Sequence, residues 1–348
     1  MDAFIISLGS LIVSFFIAMI LIKIFISLMK RGNFFQIINP DTPPNHQEKK
    51  NVPTMGGLTF LLSSTITISI FGDITHPYVF LPLISMWSFA IIGLIDDVMK
   101  LVKKETIGLT SLRKLAMQIL IAAFNYYLVA TFSGLNVSSV SAFWNPHQVI
   151  DIGIWFPIAF LLYMVIFVNA VNVSDGLDGL ATTVSLSPLF LLFAIASLFA
   201  TSAFIIPTQP IIGLSAVSLL IVIGSIIGSL LAFLWFNGHK ATIFMGDVGS
   251  HAIGALIGMS ALLMKIEFIV AIASGVLLLE LASSFIQIIS IRVFNKKVFL
   301  FATISPPWTR PPRRLASACS TLRPKPSKPT ISMMNRWRMW DLLGCASV

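Results

Sequence analysis

Residues 78–100 read "YVFLPLISMWSFAIIGLIDDVMK". From Tyr78 to Ile95 no residue is charged, and an apolar run of this length crosses the hydrocarbon core of a bilayer, about 30 Å thick, as an α-helix. Only a helix satisfies its own backbone there. Two adjacent carboxylates are too costly to leave in lipid, so Asp96 and Asp97 mark the point where the chain leaves the membrane. The same reading extends along the whole chain, whose 348 residues are 56% hydrophobic and 11% charged, with a mean hydropathy of +0.92. That composition excludes an ordinary soluble domain.

Apolar windows of spanning length fall near 3–29, 57–72, 77–95, 115–132, 153–168, 180–206, 211–236, 251–264 and 268–291. The fold class is therefore all-α, a polytopic membrane protein with about nine transmembrane helices. The first window is too long for the apolar region of a signal peptide and reads as a retained anchor interrupted at Lys23. Cys319 and Cys345 both lie in the tail, so neither a disulfide framework nor a thiolate metal site is indicated.

Basic residues then orient the chain, because Lys and Arg flanking spans prefer the cytoplasm. The loop after the first window holds Lys30, Arg31, Lys49 and Lys50; the third loop holds Lys100, Lys103, Lys104, Arg113 and Lys114; the seventh holds Lys240; the ninth holds Arg292, Lys296 and Lys297. Even-numbered loops offer only Lys265. Odd loops are accordingly expected in the cytoplasm and the N-terminus outside. Four unusual polar segments share that side: "NVPTMGG" (51–57), "LIDDVMK" (94–100), "NAVNVSDGLDGL" (169–180) and "FMGDVGS" (244–250).

Asp96, Asp97, Asp175, Asp178 and Asp247 place five carboxylates at helix ends beside glycines. Left alone they repel, and a divalent cation relieves this. Mg²⁺ suits the set because it takes one or two carboxylates together with substrate phosphate oxygens. Gly56, Gly57, Gly176, Gly179, Gly246 and Gly249 would let backbone N–H groups approach an anion. Lys100, one turn beyond Asp96 and Asp97, can offer positive charge to a phosphoryl group. Each element alone also fits a plainer role: solvated acids, ordinary turns, a tight loop at "PTMGG", a core Phe244, and histidines (His46, His239, His251) that are solvated or interfacial. Asn169 and Asn172 can bond neighbouring backbone.

As a set and in this order, the segments resemble the polyprenyl-phosphate N-acetylhexosamine-1-phosphate transferase family over residues 30–301. "PTMGG" after a basic segment, "GLTSLRKLAMQ" (108–118), "NAVNVSDGLDGLA", "FMGDVGS" and "NKKVFLF" (295–301) are most similar to the branch that makes the first lipid-linked peptidoglycan precursor. The resemblance implies a bacterial plasma-membrane enzyme, Mg²⁺-dependent, with its active site on the cytoplasmic face and ten spanning helices in the family pattern. It implies that undecaprenyl phosphate attacks UDP-N-acetylmuramoyl-pentapeptide and UMP leaves, and that the protein is a homodimer. Asp96, Asp97, Asp247 and Lys100 would be catalytic, with Asp247 the leading metal ligand and Asp97 and Asp175 further candidates. Lys50, Asn172, Asp175, Asp178, Asn237, Phe244 and Gln287 would bind substrate, Phe244 stacking on uracil. Two alternatives remain at this point: a sister transferase using UDP-N-acetylglucosamine, and a cation or proton transporter, whose acids would lie nearer the bilayer midplane.

Residues 302–348 break the pattern. Where the family pattern has a Pro-x-His-His-His segment and a last helix, the chain reads "ATISPPWTRPPRRLASACSTLRPKPSKPT". This Pro-rich, basic composition cannot span a bilayer and predicts disorder. It holds eight of the 23 Lys and Arg residues, so much of the net charge of +9 belongs to it, and without aromatic interleaving it does not indicate nucleic-acid binding. A frameshift would account for the break, a genuine divergent tail being the other reading: Thr303 to Trp308 can be encoded ACC ATA TCA CCA CCA TGG, and one base on, that string reads Pro-Tyr-His-His-His.

Overall fold

The computed structural model describes residues 2–32, 35, 52–103, 108–142, 149–201, 214–238 and 240–294. The chain divides into two units, Met1–Pro307 and Trp308–Val348, and the described residues all belong to the first. The tail, its frame and Lys50 lie outside them.

Among the described residues ten α-helices dominate: α1 Asp2–Arg31, α2 Gly57–Phe71, α3 Pro77–Lys103, α4 Ser111–Phe132, α5 Phe156–Ser174, α6 Leu180–Ala200, α7 Leu214–Asn237, α8 Gly246–Met264, α9 Glu267–Ala273 and α10 Gly275–Ile289. A short antiparallel hairpin, β1 Ser139–Ser141 with β2 Val149–Asp151, joins α4 to α5. Each of the nine apolar windows corresponds to helix, but they differ in reach. Among the described residues α1, α3, α4, α5 with the turn before it, α6, α7 and α8 are seven helices long and apolar enough to cross a membrane. α2 stops at fifteen residues, because Gly72 and Asp73 end it and the Asp73 carboxylate turns the chain by accepting from the Thr75 N–H at 2.9 Å and hydroxyl at 2.7 Å. The ninth window is broken: α9 and α10 meet at a bend of 77° and count as an eighth span only if taken together. The chain is thus a multi-pass, all-α membrane protein.

Local sequence explains why these helices tolerate lipid. Lys30 and Arg31 stand in the last turn of α1, where cations offset the negative helix end. Pro157 at the start of α5 removes an N–H that has no helical partner. Some buried hydroxyls bond backward along their own helices, as Ser63 does to Phe60 (3.1 Å), Thr67 to Ser63 (2.9 Å) and Ser225 to Ile221 (2.7 Å), which pairs these groups inside the bundle.

α8 is the central post, buried at every residue from Val248 to Met264. α3 and α5 pack along it, α7 packs between α1 and α6, and α4 packs against both α3 and α5. The approach of α3 to α8 is set by Gly93: a β-carbon there would overlap the backbone carbonyl of Asp247. Backbone cannot yield as a side chain does, and overpacking costs about 1–3 kcal/mol even where it can. Gly93→Ala should therefore lower the melting temperature of the detergent-purified chain by several degrees. Gly275→Ala, which meets nothing within 4 Å, should leave it unchanged; equal melting of both variants would refute this account of the helix crossing.

At the far end of α8 from Asp247, Lys265 is buried against the hairpin. Its ammonium donates to the carbonyls of Asn136 at 2.9 Å and Ser139 at 2.6 Å and lies 4.4 Å from the centre of the Phe156 ring.

Candidate active site

The four polar segments meet around the N-terminus of α8. Gly56 and Gly57 donate their N–H groups to the carbonyls of Phe244 and Met245, each at 2.8 Å, and Phe244 N–H donates to the carbonyl of Pro53 at 2.9 Å. This lacing holds Met55 at φ 63°, a left-handed conformation that costs a non-glycine residue about 1–3 kcal/mol. Gly246, at φ 75°, makes the same kind of turn without that cost, and α8 starts there. The glycine N–H groups expected to approach an anion are in part already used: those of Gly56 and Gly57 join the two loops, and that of Gly179 donates to Asn237 Oδ1 at 3.1 Å. Their role is to bring the segments together.

Asp96 and Asp97, on the last turns of α3, are buried, each 4% exposed. Asp247 is half-buried. One carboxylate oxygen from each of the three lies within 4.8 Å of the others. Lys100 Nζ sits among them, 2.7 Å from Asp96, 2.9 Å from Asp247 and 3.7 Å from Asp97. Lys114, reaching in from α4, lies 2.8 Å from Asp247 and 3.9 Å from Asp96. Three negative charges against two positive leave one net negative charge in a space where charges interact strongly. Asp97 also accepts the N–H of Val248 at 3.2 Å, at the positive end of α8. Asp96 accepts that of Leu109 at 2.6 Å. Asn172, near the end of α5, donates to Asp247 Oδ1 at 3.0 Å and to the Ser250 hydroxyl at 2.9 Å.

The structure thus brings Asp96, Asp97, Lys100, Asn172 and Asp247 into one cluster. Asp175 follows α5 directly. Burial pushes its carboxyl up to about 8, and the charges of Asp247 and Asp97 act in the same direction while Lys100 opposes them. Asp178 accepts the N–H of Ala241 at 3.3 Å. Asn237 is buried and fully engaged, accepting from Gly179 N–H and from the Thr182 hydroxyl at 3.3 Å and donating to the Ile243 carbonyl at 2.9 Å. Its amide braces the loop that carries Asp247. Phe244 is half-buried, and Gln287 is buried on α10, which packs on α5. Lys50, His46 and His239 lie outside the described residues.

Three members of the cluster's surroundings escaped the sequence reading. Lys114 counted there only as a loop charge, although it stands one turn before Gln118 on the same helix. Gln118 is 1% exposed and pairs with Asn169. His251, expected at solvent or an interface, is instead completely buried. Burial is tolerated because both ring nitrogens have partners, the Asp247 carbonyl at 2.7 Å and Gln118 Nε2 at 3.2 Å.

Residues 79–265 match the profile of glycosyl transferase family 4. Among curated relatives, the phospho-N-acetylmuramoyl-pentapeptide-transferase of Desulfotalea psychrophila is 37% identical over 303 residues, covering 85% of this chain and 82% of its own. That of Clostridium kluyveri is 33% identical over 295 residues, covering 85% and 88%. That of Anoxybacillus flavithermus is 36% identical over 291 residues, covering 82% and 84%.

Proposed function

The chain belongs to glycosyl transferase family 4, and from that premise we propose that it transfers phospho-N-acetylmuramoyl-pentapeptide from its UDP carrier to undecaprenyl phosphate. An oxygen of the lipid phosphate bonds to the β-phosphorus of the nucleotide sugar. The bridging P–O bond breaks and UMP departs with its electron pair. The observation that carries the reading is the cluster itself: Asp96, Asp97 and Asp247 with Lys100, Lys114 and Asn172, gathered at helix ends beside a membrane. The relatives' names favour the muramoyl-pentapeptide over N-acetylglucosamine phosphate as the transferred group.

The donor set fits Mg²⁺. All three converging ligands are carboxylate oxygens, the hard donors Mg²⁺ prefers, while both nitrogens of His251 are already bonded and neither cysteine lies among the described residues. The three oxygens lie within 4.8 Å of one another, so these residues could share one cation once Lys100 gives up its carboxylate contacts. Asp247 would be the leading ligand, with Asp97 and Asp96 beside it and Asp175 near. Bound there, the ion would offset charge on the phosphates. The chain's own residues do the rest by position and charge. Lys100 and Lys114 can exchange a carboxylate for a diphosphate oxygen, and Asn172 fixes the plane of Asp247. Phe244, Gln287, Asp178 and Lys50 remain candidates for the nucleoside and sugar. The chemistry faces the cytoplasm of a bacterial inner membrane, where the acceptor's phosphate emerges while its chain stays in lipid; a homodimer accompanies this reading.

The test is UMP release by membranes carrying the chain with its C-terminal frame restored. UDP-N-acetylmuramoyl-pentapeptide should give UMP, EDTA should stop it and Mg²⁺ should restore it. UDP-N-acetylglucosamine turned over faster would give the reaction to the sister transferases, and release indifferent to EDTA would remove the metal.

A further inference from the structure

Beneath the acids lies a second polar layer that the proposed transfer does not use. Gln118, Asn169 and His251 occupy the same three helices as Lys114, Asn172 and Asp247, displaced by four residues on α4, three on α5 and four on α8. Each step is about one turn, roughly 4.5–6 Å, and all three lead away from the site, because α4 and α8 run from it and α5 runs toward it.

The direction of every bond in this layer follows from chemistry. The Asp247 carbonyl can only accept, so the His251 Nδ1 at 2.7 Å carries the proton and Nε2 is left as an acceptor. Gln118 Nε2, 3.2 Å away, donates to it. Gln118 Oε1 accepts from Asn169 Nδ2 at 2.8 Å, which also donates to the Val165 carbonyl at 2.8 Å. Gln118 Nε2 also donates to Asn169 Oδ1 at 3.4 Å, so the two amides pair reciprocally and the bonds link α5 and α4 to the first turn of α8. In the upper layer the same three helices meet again on one carboxylate: Lys114 holds Asp247 Oδ2 at 2.8 Å and Asn172 holds Oδ1 at 3.0 Å.

Resting on the transferase reading, we infer that Gln118, Asn169 and His251 are positioning residues. Their chain fixes the register of α4 and α5 against α8, and so sets the angle at which Asp247 is presented to a cation. Aliphatic side chains would pack three helices without specifying that register, whereas directional bonds permit one arrangement. Groups that orient metal-binding carboxylates typically change metal affinity by about 10- to 100-fold when removed.

The test uses the purified full chain in detergent, with Mn²⁺ as the probe, its affinity read by electron paramagnetic resonance and stability by thermal melting. His251→Leu leaves one N–H of the Gln118 amide without its acceptor, the other keeping Asn169 Oδ1, and should lower both. In the triple variant Gln118→Leu, Asn169→Leu, His251→Leu no polar group of the layer is orphaned, so melting should recover much of its loss, while Mn²⁺ affinity should stay about tenfold below wild type. Recovery of both would make the layer merely structural and overturn the inference. Should the triple variant not fold, Gln118→Met decides: this near-isosteric change deletes only the link, a loss of Mn²⁺ affinity supports positioning and unchanged affinity overturns it. A wild-type chain that binds no Mn²⁺ would bring down the metal reading, and this inference with it, before any variant is compared.

Discussion

Asp247→Asn should lower UMP release by about 10³-fold in membranes carrying the chain with its C-terminal frame restored, and should abolish Mn²⁺ binding while the helices remain assembled. The size of the effect follows from how many groups depend on one side chain. Lys100 and Lys114 both hold its Oδ2, at 2.9 and 2.8 Å, and Asn172 holds Oδ1 at 3.0 Å. Asparagine keeps the shape and one acceptor but sets an amide donor where the two ammoniums need an oxygen. It also changes the charge balance. With Asp247 the three carboxylates exceed the two lysines by one; without it Asp96 and Asp97 are matched by Lys100 and Lys114, and nothing draws a dication in. Losing one preorganised polar group at a transition state costs about 10²–10³-fold, and here the proposed leading ligand for Mg²⁺ goes as well. In energy the change is roughly 4 kcal/mol of barrier.

The helices themselves survive because Asp247 is not what joins them. α3 and α8 remain in register through Gly93 and through the Asp97 carboxylate on Val248 N–H, and Lys100 keeps Asp96 at 2.7 Å. A lower melting temperature is still expected, since Lys114 is left with Asp96 at 3.9 Å as its remaining ion pair. Retention of more than a tenth of the rate, together with retained Mn²⁺ binding, would move the cation off α8.

What the sequence disclosed and what it hid divide along a physical line. Spans and acids are legible because lipid imposes a length on apolar runs and a penalty on charge. Asp96, Asp97 and Asp247 are for that reason visible without any structure. The bend between α9 and α10 is not, since hydropathy carries no direction and Gly275 is only a weak sign of a break. Lys114 was hidden by its surroundings: a basic residue after a span reads as a topological signal, and nothing local says that it reaches Asp247. For Gly56 and Gly57 the anion-approach reading gives way to another role, because their N–H groups have partners nearly two hundred residues away in the chain. His251 needed Gln118, 133 residues distant, before its burial made sense.

Replacing the tail after Phe301 with the sequence read one base on should raise UMP release by about 100-fold over the present chain, yet change Mn²⁺ affinity by less than about threefold. The two readouts should separate because the cluster is assembled from α3, α4, α5 and α8, all of which precede the break, whereas the family resemblance puts a Pro-x-His-His-His loop and a final helix after it. Imidazoles can transfer or share protons near neutral pH, and a positioned group of that kind contributes about 10²–10⁴-fold; the present tail has no histidine to offer. Resequencing codons 298–310 establishes whether the shift is in the gene. If the shift is absent and both chains release UMP equally, the histidine loop is dispensable and the acids, lysines and Asn172 carry the reaction alone. If both chains are inactive while binding Mn²⁺, the cluster holds a cation for some purpose other than this transfer, and the substrate assignment fails where the metal site stands.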